Sequence, residues 1–433
     1  MLQSIRNAWK IEDIRKKFIF MCFILLLYRL GNAVPVPYVN TAELTSFFQS
    51  MRNTVLGLYN VMSGSAFSQA TIFAMSIQPY INASIIIQLL AVAIPALERL
   101  QKEGGEEGKQ KLERITRYST LAIAAIQGYG YYALLSYGYA DAYGTRHELL
   151  TNSGAWAAVV IIASFAAGSC LLMWMGEQIT EFGLGNGISI ILFVSIISRF
   201  PNQIISMVQS VIYGTATWWS QLLLLIGALL LIVLIVIVTD SERRIPVQYA
   251  KRVVGRKMYG GQSTHLPLKL NMSGVMPIIF AQSIASIPAT IASFVPKWRE
   301  GWFVKAFDTN TAVYMVVYFL LIVFFSYFYS TIQFNPVEVA NNLKKNGGFI
   351  PGFRPGKPTS EHLQKVLSKV TLFGAVYLGI IALAPLIVGA LMPSQAGISF
   401  GGTSIIIVVG VALETVRQVE AQMLMRHYKG FLE

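Results

Sequence analysis

The 433-residue sequence predicts an all-α polytopic membrane protein, and three observations carry that prediction. Apolar residues make up 54% of the chain and charged residues only 13%, about half the charged share of an ordinary soluble domain. Mean hydropathy is +0.55, and a soluble core this large would lack the polar surface to cover itself. Mostly apolar runs of about 17 or more residues recur along the chain, each long enough to cross a hydrocarbon layer of about 30 Å.

Hydropathy places ten spans at about 18–36, 76–94, 118–138, 155–175, 186–200, 217–239, 272–293, 312–333, 370–391 and 401–419. The first follows Arg6, Lys10, Arg15, Lys16 and Lys17 as a signal peptide would. It lacks a small-residue cleavage site, and GNAVPVPYV continues the span, so it reads as a retained helix. Between the first two spans lies YNVMSGSAFSQATIF (59–73), too polar to face lipid and too free of charge for a solvated loop. Irregular backbone at membrane depth is tolerated only where it is buried in protein or lines a cavity.

The second span, SIQPYINASIIIQLLAVA, admits Pro79 in its first turn. Ile81 and Ile85 share one face and Ser84 and Gln88 another, so one side must meet protein or a wet cavity. Polar residues gluing neighbouring helices together would give the same pattern. QKEGGEEGKQ (101–110) separates the second and third spans. GLGNGIS (183–189) opens the fifth as a tight turn; it lacks the last glycine of a phosphate-binding G-x-G-x-x-G and follows no strand. Ile188 and Leu192 then repeat the spacing of four seen at Ile81 and Ile85, either as ordinary packing or as part of a narrow dry constriction. The segments 240–271 and 334–369 are basic, punctuated by Gly and Pro, and large for connectors, which suits a partner with an acidic surface or RNA. Cys22 and Cys170 fall inside apolar runs and read as core thiols.

Basic residues orient the chain. With the N-terminus inside, 27 of the 34 Lys and Arg residues fall in cytoplasmic segments and five in external loops, with Arg29 and Arg199 in or at the ends of spans. Both termini are then cytoplasmic. Ten spans divide into two halves, 1–200 and 201–433, and an odd number per half requires any repeat to be inverted.

An enzyme is not expected. The four histidines, His147, His265, His362 and His427, lie in loops or the tail, so nothing in the membrane could activate the serine of GIS. No metal site or cofactor is expected. Composition leaves a secondary transporter of small solutes as the competing class. Such carriers usually hold ionisable groups near mid-membrane. Here Glu98, Glu177, Glu181 and Asp240 sit at span ends, and Glu414 lies near the cytoplasmic end of the last span.

Several long stretches then carry a resemblance: VPVPYVN (34–40), MSGSAFSQATIFAMSIQPYINASIIIQLL (62–90), GLGNGISI (183–190), NMSGVMPIIFAQSI (271–284), FNPVEVANNLKKNGGFIPGFRPG (334–356) and GGTSIIIVVGVALE (401–414). In this order they resemble the SecY/Sec61-alpha family of protein-conducting channel subunits over essentially the whole chain. The resemblance implies two inverted five-helix halves around a central pore, and a side gate between the second and seventh spans through which signal helices reach lipid. It places an aliphatic ring at Ile81, Ile85, Ile188, Leu192, Ile279 and Ile407, with Leu192 where isoleucine is common.

It also implies a re-entrant plug helix at about 59–71, including Asn60, Met62, Ser63, Gly64, Ser65, Ala66, Phe67 and Ser68. Gate polar residues would be Ser84, Gln88, Gln127 and Ser283. Arg243, Arg244, Arg252, Arg256 and Arg354 would dock the SecA motor ATPase or the ribosome. Further implied partners are SecE, SecG, the signal-recognition-particle receptor, membrane lipid, and secretory and membrane protein substrates. The implied location is the bacterial plasma membrane, with energy supplied by SecA, translation and the proton-motive force.

Overall fold

The structure, a computed structural model, describes residues 9, 11–50, 55–102, 104–140, 146–214, 217–249, 252–254, 257–259, 263–272, 274–288, 311–391 and 402–429. A helix meets each of the ten expected spans. Helix α1 (Glu12–Gly31) carries Glu12 and Asp13 in its first turn and Arg29 in its last, charges that complement the helix dipole. It stops at Gly31. Contrary to the expected continuation through GNAVPVPYV, the following residues run extended: Val36 N–H donates to the Ala70 carbonyl at 2.9 Å, and Ile72 N–H to that of Val34 at 3.0 Å. Two prolines deprive this stretch of helix-forming N–H groups, and a neighbouring segment pairs with it instead.

Two short helices follow, α2 (Thr41–Ser50) and α3 (Val55–Met62), and then α4 (Gln78–Ala93), with Pro79 in its first turn. Helix α5 (Pro95–Lys102) bends away from α4 by 106°, and α6 (Gly105–Tyr137) returns across the layer. Beyond a short hairpin, β1 (Tyr139–Ala140) with β2 (Arg146–His147), come α7 (Ala155–Phe182), α8 (Gly187–Ile197), α9 (Phe200–Ile212) and α10 (Trp218–Asp240). The fifth span is longer than hydropathy suggested, because α9 prolongs α8 to give a 26-residue apolar rod.

The remaining helices are α11 (Met276–Ala285), α12 (Ala312–Gln333), α13 (Pro336–Lys345), α14 (Lys357–Leu391) and α15 (Gly402–Lys429). Among the described residues, five helices are long and apolar enough to cross a membrane, six when α4 and α5 count as one bent span. Helix α1 misses that threshold because Arg15, Lys16, Lys17 and Arg29 lie within its 20 residues. The apolar face of α10, including Leu223, Leu230 and Val233, is left exposed, as lipid contact requires.

The two segments expected as basic loops are more ordered than expected. Strand β3 (Glu242–Tyr249) pairs antiparallel with β6 (Ser263–Lys269), from Glu242 opposite Lys269 to Gln248 opposite Ser263. Its far end also pairs with β7 (Gly348–Phe349), joining both segments in one three-stranded sheet. Pro246 has no N–H to offer, which suits a strand whose outer edge meets β7 only at its end. Ile245, Val247 and Leu268 pack with Ala340, Leu343, Ile350 and Leu363 into a small core of their own. A separate two-stranded ribbon is formed by β4 (Arg252–Val254) and β5 (Lys257–Tyr259).

Candidate functional site

The site is built where α4, α8, α11 and α15 converge. Helix α4 packs on α11, and α8 packs on α15. Five of the six expected ring residues, Ile81, Ile85, Leu192, Ile279 and Ile407, are between 1% and 4% exposed and belong to one apolar cluster. Ile188 is half-buried at the cluster's margin, close to Gly176 of α7. The turn before α8 sets these positions. Asn186 caps the helix, its side-chain oxygen accepting from the N–H groups of Ile188 and Ser189 at 3.1 and 3.2 Å. A Cβ on Gly187 would stand 2.0 Å from the Gly176 carbonyl oxygen, so only glycine admits this approach.

Of the expected plug residues, Asn60 and Met62 lie in the last turns of α3 and the others follow it. The segment's helical part, Val55–Met62, lies earlier than the expected 59–71, and residues 63–70 form successive turns. Asn60 organises them: its backbone carbonyl accepts from Ser65 N–H and its side-chain oxygen from Ser68 N–H, both at 3.0 Å. Ser63 Oγ accepts from Phe67 N–H at 3.1 Å. Gly64 adopts a left-handed φ of +67°, and a Cβ there would meet the Ser195 carbonyl oxygen at 2.8 Å. Ser65 and Ala70 are also left-handed, a conformation costly for residues with a Cβ.

The small residues Gly64, Ser65, Ala66 and Ser68 suggest close but weakly held packing, and they say nothing of the anchors that hold the segment. Met62 belongs to the ring's apolar cluster, whereas Phe67 belongs to a second cluster with Phe48, Tyr131 and Phe165. Phe67 stacks on Tyr131 with centroids 4.5 Å apart, and the Tyr131 hydroxyl donates to the Phe67 carbonyl. One aromatic side chain therefore anchors an otherwise small-residue segment.

Polar groups lie along α4 at two levels, one facing α12 and one facing α11. At one level Gln88 Nε2 donates to Ser84 Oγ at 3.1 Å, and the Tyr329 hydroxyl of α12 donates to Gln88 Oε1 at 2.9 Å. At the other, next to α3, Gln78, Gln282, Ser283 and Ser286 line a cavity with Tyr59, Met62 and Tyr314. The Tyr59 and Ser286 hydroxyls pair at 2.9 Å. Gln127 is half-buried on α6, which packs on α4, and does not line that cavity. Sequence reasoning missed Gln78, Gln282 and Tyr329. The two glutamines could have been flagged as amides inside apolar runs.

Tyr329→Phe should remove the tie to Gln88 at no cost in packing and loosen the α4–α12 contact by about 1 kcal/mol. A double-mutant cycle of Tyr329→Phe with Gln88→Leu, read by thermal unfolding, should show coupling of that size. Strict additivity of the two would dismiss the tie.

Of the expected docking residues, Arg243 and Arg244 lie exposed on β3, with Arg244 Nε donating to Glu242 Oε1 at 2.7 Å. Arg252 is in β4, and Arg256 lies outside the described residues. Arg354 is exposed, and its carbonyl oxygen accepts from Thr359 Oγ1 at 2.8 Å, holding the turn before α14.

Known proteins share this architecture. The SecY family model matches residues 71–416. The protein translocase subunit SecY of Streptomyces coelicolor is 45% identical, that of Mycobacterium bovis 42% and that of Aquifex aeolicus 39%, each over 100% of both chains. Among solved structures, one of a protein-conducting channel superposes with a TM-score of 0.69 at 17% identity, covering 97% of each chain. Another, of Sec61 in a canine ribosome–channel complex, superposes with a TM-score of 0.64 at 15% identity and the same coverage.

Proposed function

As a member of the SecY family this chain is a protein-conducting translocation channel, multi-pass and not an enzyme, and we propose that it conducts unfolded polypeptides between two inverted five-span halves, 1–200 and 201–433. The observation that carries this reading is the single apolar cluster to which α4, α8, α11 and α15 each contribute a ring residue. A ring of aliphatic side chains excludes water and ions when closed and yields to a passing chain, because dispersion contacts have no fixed partner.

The seam between α4 and α11 acts as the side gate. Its polar pairs are costly to bury unless bonded, so a competing apolar signal helix can replace one packed state by another. Such a helix then partitions into lipid, at about 25 cal/mol per Å² of apolar surface removed from water. Residues 59–71 form the plug on the external side, and both termini face the cytoplasm of a bacterial cell. The sheet that unites 240–271 with 334–369 presents Arg243 and Arg244, and the turn before α14 presents Arg354, to the SecA motor or the ribosome, while SecE and SecG complete the complex.

The test is reconstitution of the chain with SecE, SecA and a secretory precursor in vesicles. ATP should drive the precursor into protease protection, and Arg354→Glu should lower that protection about tenfold, the effect of losing a charged contact of roughly 1.4 kcal/mol. Protection absent throughout, with a small solute taken up by the chain alone, would instead establish a transporter.

A further inference from the structure

We propose that the plug end of the α4–α11 seam is a binding site for a single water molecule, held by Gln78, Gln282 and Ser283. All three side chains are buried, with 3%, 6% and 4% of their surface exposed. Gln78 Oε1, Gln282 Oε1 and Ser283 Oγ have no hydrogen-bond partner among the described residues. They line one cavity of about 10 Å³, close to the smallest volume that seats a water. Voids of this size with apolar walls stay dry, but orphaned polar atoms in a buried wall are expensive, and water is the usual remedy.

The chemistry of the three atoms matches that of one water. Two amide oxygens accept and one hydroxyl donates, so a water can give a hydrogen to each glutamine and receive one from the serine. Three bonds are typical for a buried water. Other members of the lining are already committed. Gln78 Nε2 donates to Met62 Sδ at 3.2 Å, the Ser286 hydroxyl donates to the Ser283 carbonyl at 2.7 Å, and Tyr59 pairs with Ser286. The water therefore bridges α4 to α11 beneath side chains of α3. Given the gate function proposed above, separating α4 from α11 breaks this bridge and frees the base of the plug in one event.

Met62 supplies the readout, because its sulfur sits beside the water and oxidises readily to sulfoxide. Radiolysis of bound water should label Met62, only 4% exposed, about fivefold faster than Met175, equally buried in apolar packing. Gln78→Leu with Gln282→Leu should bring Met62 down to the Met175 rate and lower the melting temperature, since a satisfied network is lost. Equal labelling of the two methionines in the parent overturns the proposal. So does Met62 labelling that persists in the double variant, or a melting temperature that rises when the glutamines become leucines. Export by a chain cross-linked between α4 and α11 reports on the gate alone, so the water site and the gate can fail separately.

Discussion

Ile407→Asn should let precursors with defective signal sequences through the reconstituted channel at least about tenfold more efficiently than the parent. Ile407 is 1% exposed and shares its cluster with Ile81, Ile85, Leu192 and Ile279. Replacing it forfeits about 1.5–3 kcal/mol of apolar burial and leaves an amide that costs about 1–3 kcal/mol if unpaired. Water in an opened pore can satisfy that amide, so the closed ring loses more than a wetted, open one. Each 1.4 kcal/mol of that difference shifts closed against open about tenfold, and a signal sequence then has less work to do. Ile407→Val, which keeps the ring apolar, should behave almost as the parent. If the asparagine variant merely unfolds more readily and still rejects defective precursors, position 407 is ordinary core and the ring lies elsewhere.

The spans and two aliphatic pairs were legible in the sequence because both are written in the spacing of apolar residues on single helices. The joining of those pairs with Ile279 and Ile407 in one ring came only from the family resemblance. Ile81 with Ile85, and Ile188 with Leu192, can be read without knowing what they face. Ser84 and Gln88 were legible in the same way, but the second polar level was not, because Gln78 and Gln282 meet only once α4 and α11 are packed together. Nor was the three-stranded sheet. Ile245 and Val247 do alternate inward along β3, but two apolar positions between arginines and a proline are too few to outweigh a basic, loop-like composition. The extended VPVP stretch ran against the apolar reading of its valines, which is blind to the N–H groups missing at Pro35 and Pro37. The composition of residues 59–71 suggested weakly held packing and concealed the anchor, since a lone Phe67 among serines and glycines announces nothing about Tyr131.

That anchor sharpens what removing the plug should do. Deletion of residues 60–70 takes away the Asn60-centred turns, the Phe67–Tyr131 stack and the backbone carbonyl that pairs with Val36. Truncating a buried phenylalanine alone costs about 3–5 kcal/mol, so the segment has enough binding free energy to remain seated in the resting channel. Its loss should raise the ion conductance of the reconstituted channel in a planar bilayer well above the parent level, because the proposed aliphatic ring must then seal the pore without it. Gly64→Val tests the same seat without shortening the chain. It forces a β-branched residue into a left-handed conformation and drives its Cβ into the Ser195 carbonyl oxygen. It should therefore leak as well, in intermittent openings as the strained segment leaves and returns. Phe67→Ala should lie between parent and deletion. Conductance at the parent level in all three variants would mean that the aliphatic ring seals the channel unaided, and that these turns serve only to join α3 to α4.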